Sequence, residues 1–165
     1  MDGGLEVMVA RTHPDARLPT RGSEHAAGWD LYALEDTSVP FRQSVKLRTG
    51  LHVAIPVGYE GQVRARSSLG SKGLILPHSI GTIDADYRGE LFVLMTWIGE
   101  GDSYTVKAGE RIAQMLISPI PDLSFREVDF EELGETERGE GGLAAPGASS
   151  ASKTGFTHIP SPVSS

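Results

Sequence analysis

The sequence contains no cysteine. No disulfide can staple the fold, and no thiol can act as nucleophile or metal ligand; this fits a reducing compartment. Long apolar runs are missing too. Nothing approaches the ~20 consecutive residues that a bilayer-crossing helix needs, and Met1 to Arg11 has neither the basic start nor the apolar stretch of a secretory signal. The expected location is intracellular, in the cytoplasm, or in the nucleus for a eukaryotic or viral protein, with no membrane partner. Positive charge is in short supply. With 22 Asp and Glu against 15 Lys and Arg, the formal net charge is -7. A general nucleic-acid binder shows a basic patch, whereas this chain repels phosphate at long range. A phosphate-bearing ligand would have to be met by a local arginine or lysine cluster, by backbone N–H groups or by a bridging cation.

What is present is punctuation. The chain holds 20 glycines and 10 prolines in 165 residues, and up to about position 121 they leave little room for a long helix. The segments between them are short and rich in Val, Ile, Leu and aromatics. Strands are predicted over Leu5–Ala10, Trp29–Leu34, Val45–Leu47, Leu51–Ile55, Tyr59–Arg66, Gly73–Leu76, Leu91–Ile98, Tyr104–Val106 and Arg111–Ile117. In Gln62 to Arg66 the alternation turns Val63 and Ala65 to one face and Gln62, Arg64 and Arg66 to the other. Many short strands separated by turns argue for an all-β sandwich or jelly roll. One short helix is predicted near Ser67–Ser68, with serines as N-caps. From Arg138 onward the chain is mainly Gly, Ala, Ser, Thr and Pro, too poor in large apolar groups to offset its ordering entropy. The expected organisation is a β domain over 1–137 and a flexible arm over 138–165.

Several stretches could carry chemistry. The five histidines show no i, i+4 pair and no HExxH, which argues against a structural zinc site. Gly147 to Thr154 nearly matches a phosphate-binding P-loop, but neither strand nor helix flanks it, so it reads as a chance match. Arg64 to Gly73, RARSSLGSKG, crowds arginine, two hydroxyls and lysine where a strand ends, either an anion site or a capped surface loop. Arg138 to Gly142, RGEGG, offers an arginine on a glycine-rich arm, either a phosphate grip or a linker with one charge. Gly81 to Glu90, GTIDADYRGE, places Asp84 and Asp86 on one face if extended. A carboxylate there could orient a water as a general base; the alternative is turn capping with an Arg88 salt bridge.

Taken together and in order, AAGWDLYA (26–33), ARSSLGSKG (65–73), GTIDADYRGE (81–90), AGERIAQMLI (108–117) and RGEGG (138–142) resemble the five motifs of the trimeric all-β dUTPase family. That family hydrolyses dUTP to dUMP and pyrophosphate and keeps uracil out of DNA. The resemblance implies a distorted jelly-roll, or β-clip, subunit with one short helix, in a homotrimer whose active sites are shared between chains, with a mobile C-terminal arm and Mg²⁺ carried on the triphosphate. It implies that Asp84 holds the attacking water, that Tyr87 lies under the deoxyribose, and that Gly81, Ile83 and His78 belong to a hairpin reading uracil. By the same likeness Arg66, Ser67, Ser68 and Gln114 bind the phosphate chain, Asp30 acts near the hydrated Mg²⁺, and Arg138 arrives on the arm.

The last motif departs from the family pattern RGxGGFGSTG. Leu143 stands where a phenylalanine would stack on uracil, and Ala145 and Pro146 stand where Ser and Thr hydroxyls would meet the γ-phosphate. Stacking is worth ~1 kcal/mol beyond burial. This departure leaves a second reading open, a nucleotide-binding regulatory protein with impaired catalysis. Deamination of dCTP, the activity of a related family, would need an acid in the strand after the third motif, where this chain has Leu94.

Overall fold

A computed structural model describes residues 4–139 and 141–142. Two compact units divide the chain, Met1–Leu123 and Ser124–Ser165. The expected all-β architecture is found. In the first unit the strands are β1 (Met8–Arg11), β2 (Thr20–Arg21), β3 (Trp29–Tyr32), β4 (Thr37–Pro40), β5 (Ser44–Ala54) and β6 (Tyr59–Ala65). After a single helical turn, α1 (Ser67–Gly70), follow β7 (Leu74–Ile75), β8 (Ile80–Ile83), β9 (Glu90–Trp97), β10 (Ser103–Val106) and β11 (Arg111–Pro119).

A four-stranded sheet runs β1-β5-β9-β7, a five-stranded sheet runs β2-β3-β11-β6-β8, and β10 pairs with β4. Alternation decides which faces meet. Leu91, Val93 and Met95 of β9 and Leu47 and Val53 of β5 turn inward from the first sheet. Leu31, Val63, Ala113 and Met115 turn inward from the second, and all join one apolar core. Arg64, between Val63 and Ala65, stays exposed, as its alternation requires.

Two predicted strands prove to be one. Val45–Leu47 and Leu51–Ile55 were separated by Arg48-Thr49-Gly50, which reads as a turn. Instead β5 runs through it with a bulge: the step from Arg48 to His52 faces only the step from Phe92 to Glu90 on β9. Gly50 has φ +67°, and a Cβ there would lie 2.9 Å from Ala16 Cβ, so glycine is required twice over. Polar groups of the bulge find partners outside the ladder. The buried Thr49 hydroxyl donates to the Leu91 carbonyl at 2.6 Å and accepts from the Leu51 N–H at 3.2 Å. The Gly50 carbonyl takes the Thr12 N–H at 3.0 Å.

The serine caps are corrected as well. Arg66 occupies the N-cap of α1 without a side-chain cap bond, and Ser67 and Ser68 form the helical turn itself.

In the second unit, Phe130–Leu133 forms a 3-10 turn opened by a capping box between Asp129 and Glu132. Arg138 closes the described arm on itself, its Nε donating to the Gly141 carbonyl at 2.7 Å. Leu143, Ala145, Pro146, Lys153 and Thr154 lie outside the described residues.

Candidate active site

Two groups of predicted site residues form, at different places. The first sits where β3, β11 and β6 run side by side. In register, Gln114 of β11 faces Asp30 of β3 on one side and Arg64 of β6 on the other. Asp30, whose side chain is 15% exposed, is gripped by two guanidiniums. Arg66 Nε reaches Oδ1 at 3.2 Å and Arg111 reaches Oδ2 at 3.2 Å. Arg66 also donates to the Arg111 carbonyl at 3.2 Å. A carboxylate between two arginines keeps both cations at fixed positions while leaving one excess positive charge. Gln114 Nε2 donates to the Ala65 carbonyl at 3.1 Å, and its Oε1 fills the space where Gly28 lacks a Cβ. The Ser67 and Ser68 side chains are exposed beside this corner. Arg111 was missed by the sequence reading although it lies inside the fourth motif. The register of β11 shifts between Arg111 and Ala113, so simple alternation could not place Arg111 with Gln114.

The second group is the turn after β8. Gly81 and Ile83 pair with Val63 and Gly61 of β6, and His78 Nε2 would lie 3.2 Å from a Cβ on Gly81. The expected hairpin differs from a simple one: β8 adds to the edge of the β6 sheet, whereas β9, its successor, belongs to the other sheet. The chain crosses between sheets through residues 84–89. The turn closes with the Tyr87 N–H on the Asp84 carbonyl at 3.1 Å, so the extended alternation expected for Asp84 and Asp86 does not apply. Both are exposed, and no side-chain hydrogen bond holds the Asp84 carboxylate among the described residues. Tyr87 folds over Gly89, whose missing Cβ makes room for the phenol, and its hydroxyl donates to the Glu90 carbonyl at 2.8 Å. Among the described residues Arg88 makes no ion pair. Its guanidinium caps the turn by donating to the carbonyls of Ala85 and Tyr87 at 2.7 and 2.9 Å.

Glu90 takes a part that the sequence reading did not assign. Its carboxylate receives Arg48 Nε at 3.2 Å and the Gly50 N–H at 2.9 Å. Desolvation alone would raise its pKa. The Arg48 hydrogen bond, the Gly50 N–H and the Arg48 and His52 charges outweigh that and hold it below its ordinary value.

The Asp84 turn and the Arg66 corner lie at opposite ends of β6, with Gly81 and Ile80 running between them toward the corner. Ile83 faces Gly61 at one end, whereas Arg66 follows the other end. At ~3.3 Å per residue, five residues of strand put about 16 Å between them. Asp84 and Arg66 of one chain therefore stand well apart along the sheet.

Among the described residues no three His, Asp or Glu side chains cluster to hold a metal ion. Asp30 is the one carboxylate paired to the arginines of the corner, and both its oxygens are engaged. It suits a contact through water to an ion carried mainly by a ligand's own oxygens, the usual habit of Mg²⁺. No helix among the described residues is long and apolar enough to cross a membrane.

The family model for dUTPase matches residues 14–147. A deoxyuridine 5'-triphosphate nucleotidohydrolase of Syntrophotalea carbinolica is 46% identical over 146 residues, spanning 87% of this chain and 97% of its own. One from Candida albicans is 40% identical over 138 residues, 81% and 83% of the two chains. Among solved structures, a variant of the Staphylococcus bacteriophage 80alpha dUTPase with dUpNHpp gives a TM-score of 0.74 at 29% identity, over 82% of this chain and 94% of that one. A variant of the dUTPase from phage phi11 of S. aureus, described with a structural Mg(II) ion, gives 0.70 at 25%, over 76% and 99%. The ordered motifs, the two-sheet β fold and these likenesses converge, and the chain belongs to the dUTPase family.

Proposed function

We propose that the protein hydrolyses dUTP to dUMP and pyrophosphate, with Asp84 as the base that holds the attacking water. The observation that carries this is the Asp84 carboxylate, exposed and unengaged on a turn braced by Tyr87, Arg88 and Glu90. Water attacks the α-phosphorus, Asp84 takes its proton, and the bond to the bridging oxygen of the β-phosphate breaks. Arg66, Ser67, Ser68 and Gln114 meet the charge that builds on the phosphate oxygens. Tyr87 lies against the deoxyribose, where a 2′-hydroxyl would be crowded, and Gly81, Ile83 and His78 shape the uracil end. Bound Mg²⁺ would supply charge neutralisation along the triphosphate, with Asp30 touching its water shell.

The working unit is a homotrimer in which one chain brings the Asp84 turn and another the Arg66 corner. The separation of these two groups along β6 supports this. An open groove of ≈ 590 Å³ lined by Val7, Val9, Trp29 and Ile117 among others offers a surface that a second copy could cover. The arm then delivers Arg138 to the terminal phosphates, with Leu143 near the uracil.

The test is hydrolysis of dUTP, dCTP, dTTP and UTP with Mg²⁺, following nucleoside monophosphate and pyrophosphate. Strong preference for dUTP is expected. Folded protein that leaves dUTP intact, or that hydrolyses UTP equally well, would overturn the reading.

A further inference from the structure

The turn that carries Asp84 crosses between two sheets and so lacks the cross-strand ladder that would hold an ordinary hairpin. Its internal bonds, from Tyr87 and Arg88, fix its shape but not its attitude toward the body. Two contacts to β5 do that. The Glu90 carboxylate binds Arg48 and the Gly50 N–H. His52 Nδ1 lies 2.8 Å from the Arg88 carbonyl. A carbonyl only accepts, so the imidazole proton must be on Nδ1, and His52 is the donor.

Both contacts depend on the β5 bulge. By lengthening β5 against β9 between Arg48 and His52, it turns the Gly50 N–H toward Glu90 and sets the His52 ring beside the turn. His52 is also paired in register with Ala10 of β1 and Glu90 of β9, so its backbone is fixed by strands on both sides.

We propose that His52 is a positioning residue for Asp84, granting Asp84 the water-holding role given to it above. It touches neither substrate nor water. Its Nδ1–H holds the Arg88 carbonyl and thereby sets where the Asp84 carboxylate stands. Small displacements matter at such a site, because about 1 Å of misplacement in a reacting group can cost 10²-fold in rate.

The test replaces His52 with Leu, Asn and Gln in the full chain. Asn places an amide donor where Nδ1 stands, Gln places it one bond further, and Leu has none. His52→Leu should lower kcat ten- to a hundredfold with a smaller rise in KM for dUTP, since Tyr87 rides on the same turn while the phosphate corner lies at the other end of β6. The melting temperature should fall by no more than about 5 °C. Amide exchange over residues 84–89 should quicken without change over residues 91–97 of β9. His52→Asn should recover most of kcat and His52→Gln little. An unchanged kcat in His52→Leu overturns the proposal. So does a fall that Asn does not repair, which would mark bulk rather than a donor. Should His52→Leu fail to fold, equal rates for Asn and Gln overturn it just as surely. Asp84→Asn run in parallel separates the two ideas: if it keeps turnover, the role of Asp84 is wrong; if it is inactive while His52→Leu is not impaired, only the role of His52 is wrong.

Discussion

The Arg66 corner and the Asp84 turn are built on opposite plans. In the corner, charged side chains from β3, β11 and the residue that follows β6 neutralise and orient one another, with Asp30 between Arg66 and Arg111. In the turn, the chemical side chain is left free, and the backbone beneath it is held by Tyr87, Arg88, Glu90 and His52. The difference follows from what each must do. Cations that receive phosphate need fixed positions and partial neutralisation until the ligand arrives. A general base needs an open lone pair and must not spend it on a neighbour. Placed at opposite ends of one strand, neither plan compromises the other, and on the proposed roles a site would take one group from each of two chains.

The largest expected effect tests that separation. Asp84→Asn and Arg66→Ala should each lose turnover by about 10²–10⁴-fold as pure proteins. Unfolded together and refolded as a mixture of equal parts, they should regain about a quarter of wild-type activity. That is the share of sites joining an intact turn from one chain to an intact corner from another under random assembly. No recovery, with mixed trimers shown by mass, would place both groups of a site in one chain and break the comparison.

A smaller effect is expected from the arm. A chain ending at Glu137 loses Arg138, a cation that the proposal sets on the same triphosphate as the Arg66 corner. Its kcat/KM for dUTP should fall about ten- to a hundredfold, the scale of one charge-assisted contact to phosphate, while the fold is kept. An unchanged rate would mean that Leu143, Ala145 and Pro146 have ended the arm's part in catalysis, and would revive the regulatory reading.

What could be read from the sequence was whatever is encoded within a few residues. The Val63, Arg64, Ala65 alternation marks β6, and the apolar run after Glu90 marks β9. The ordered motifs point to Asp84, Tyr87, Arg66 and Gln114 by likeness. What could not be read depends on partners far along the chain. β4, Thr37–Pro40, is a strand because β10 pairs with it, and β8 because β6 does; neither is long enough to show a period. Arg48 to Gly50 reads as a turn because nothing local reveals that Thr49 and Glu90 will supply the bulge's missing partners across some forty residues. Asp30 looked like a free acid near a metal because the arginines that occupy it stand 36 and 81 positions away. The expected Arg88 ion pair failed for the opposite reason. Carbonyls of its own turn lie closer than any carboxylate.

The smallest effect concerns the mount rather than the chemistry. Glu90→Gln keeps an acceptor for the Gly50 N–H but removes the charge that holds Arg48. The loss of a hydrogen-bonded ion pair whose acid is only 14% exposed should cost about 1–2 kcal/mol at neutral pH. The sign with pH is fixed by the direction of the Glu90 shift. Because its native pKa lies below the ordinary 4.5, its contribution is fully present above that value and fades as pH falls through the lowered native value. Urea denaturation of the two proteins should therefore differ most near pH 7 and converge in acid. A gap that stays constant into acid would show that the carboxylate's charge is not what fixes the bulge to the turn. The anchoring would then rest on the hydrogen bonds of the Gly50 N–H and His52, and not on the Glu90–Arg48 ion pair.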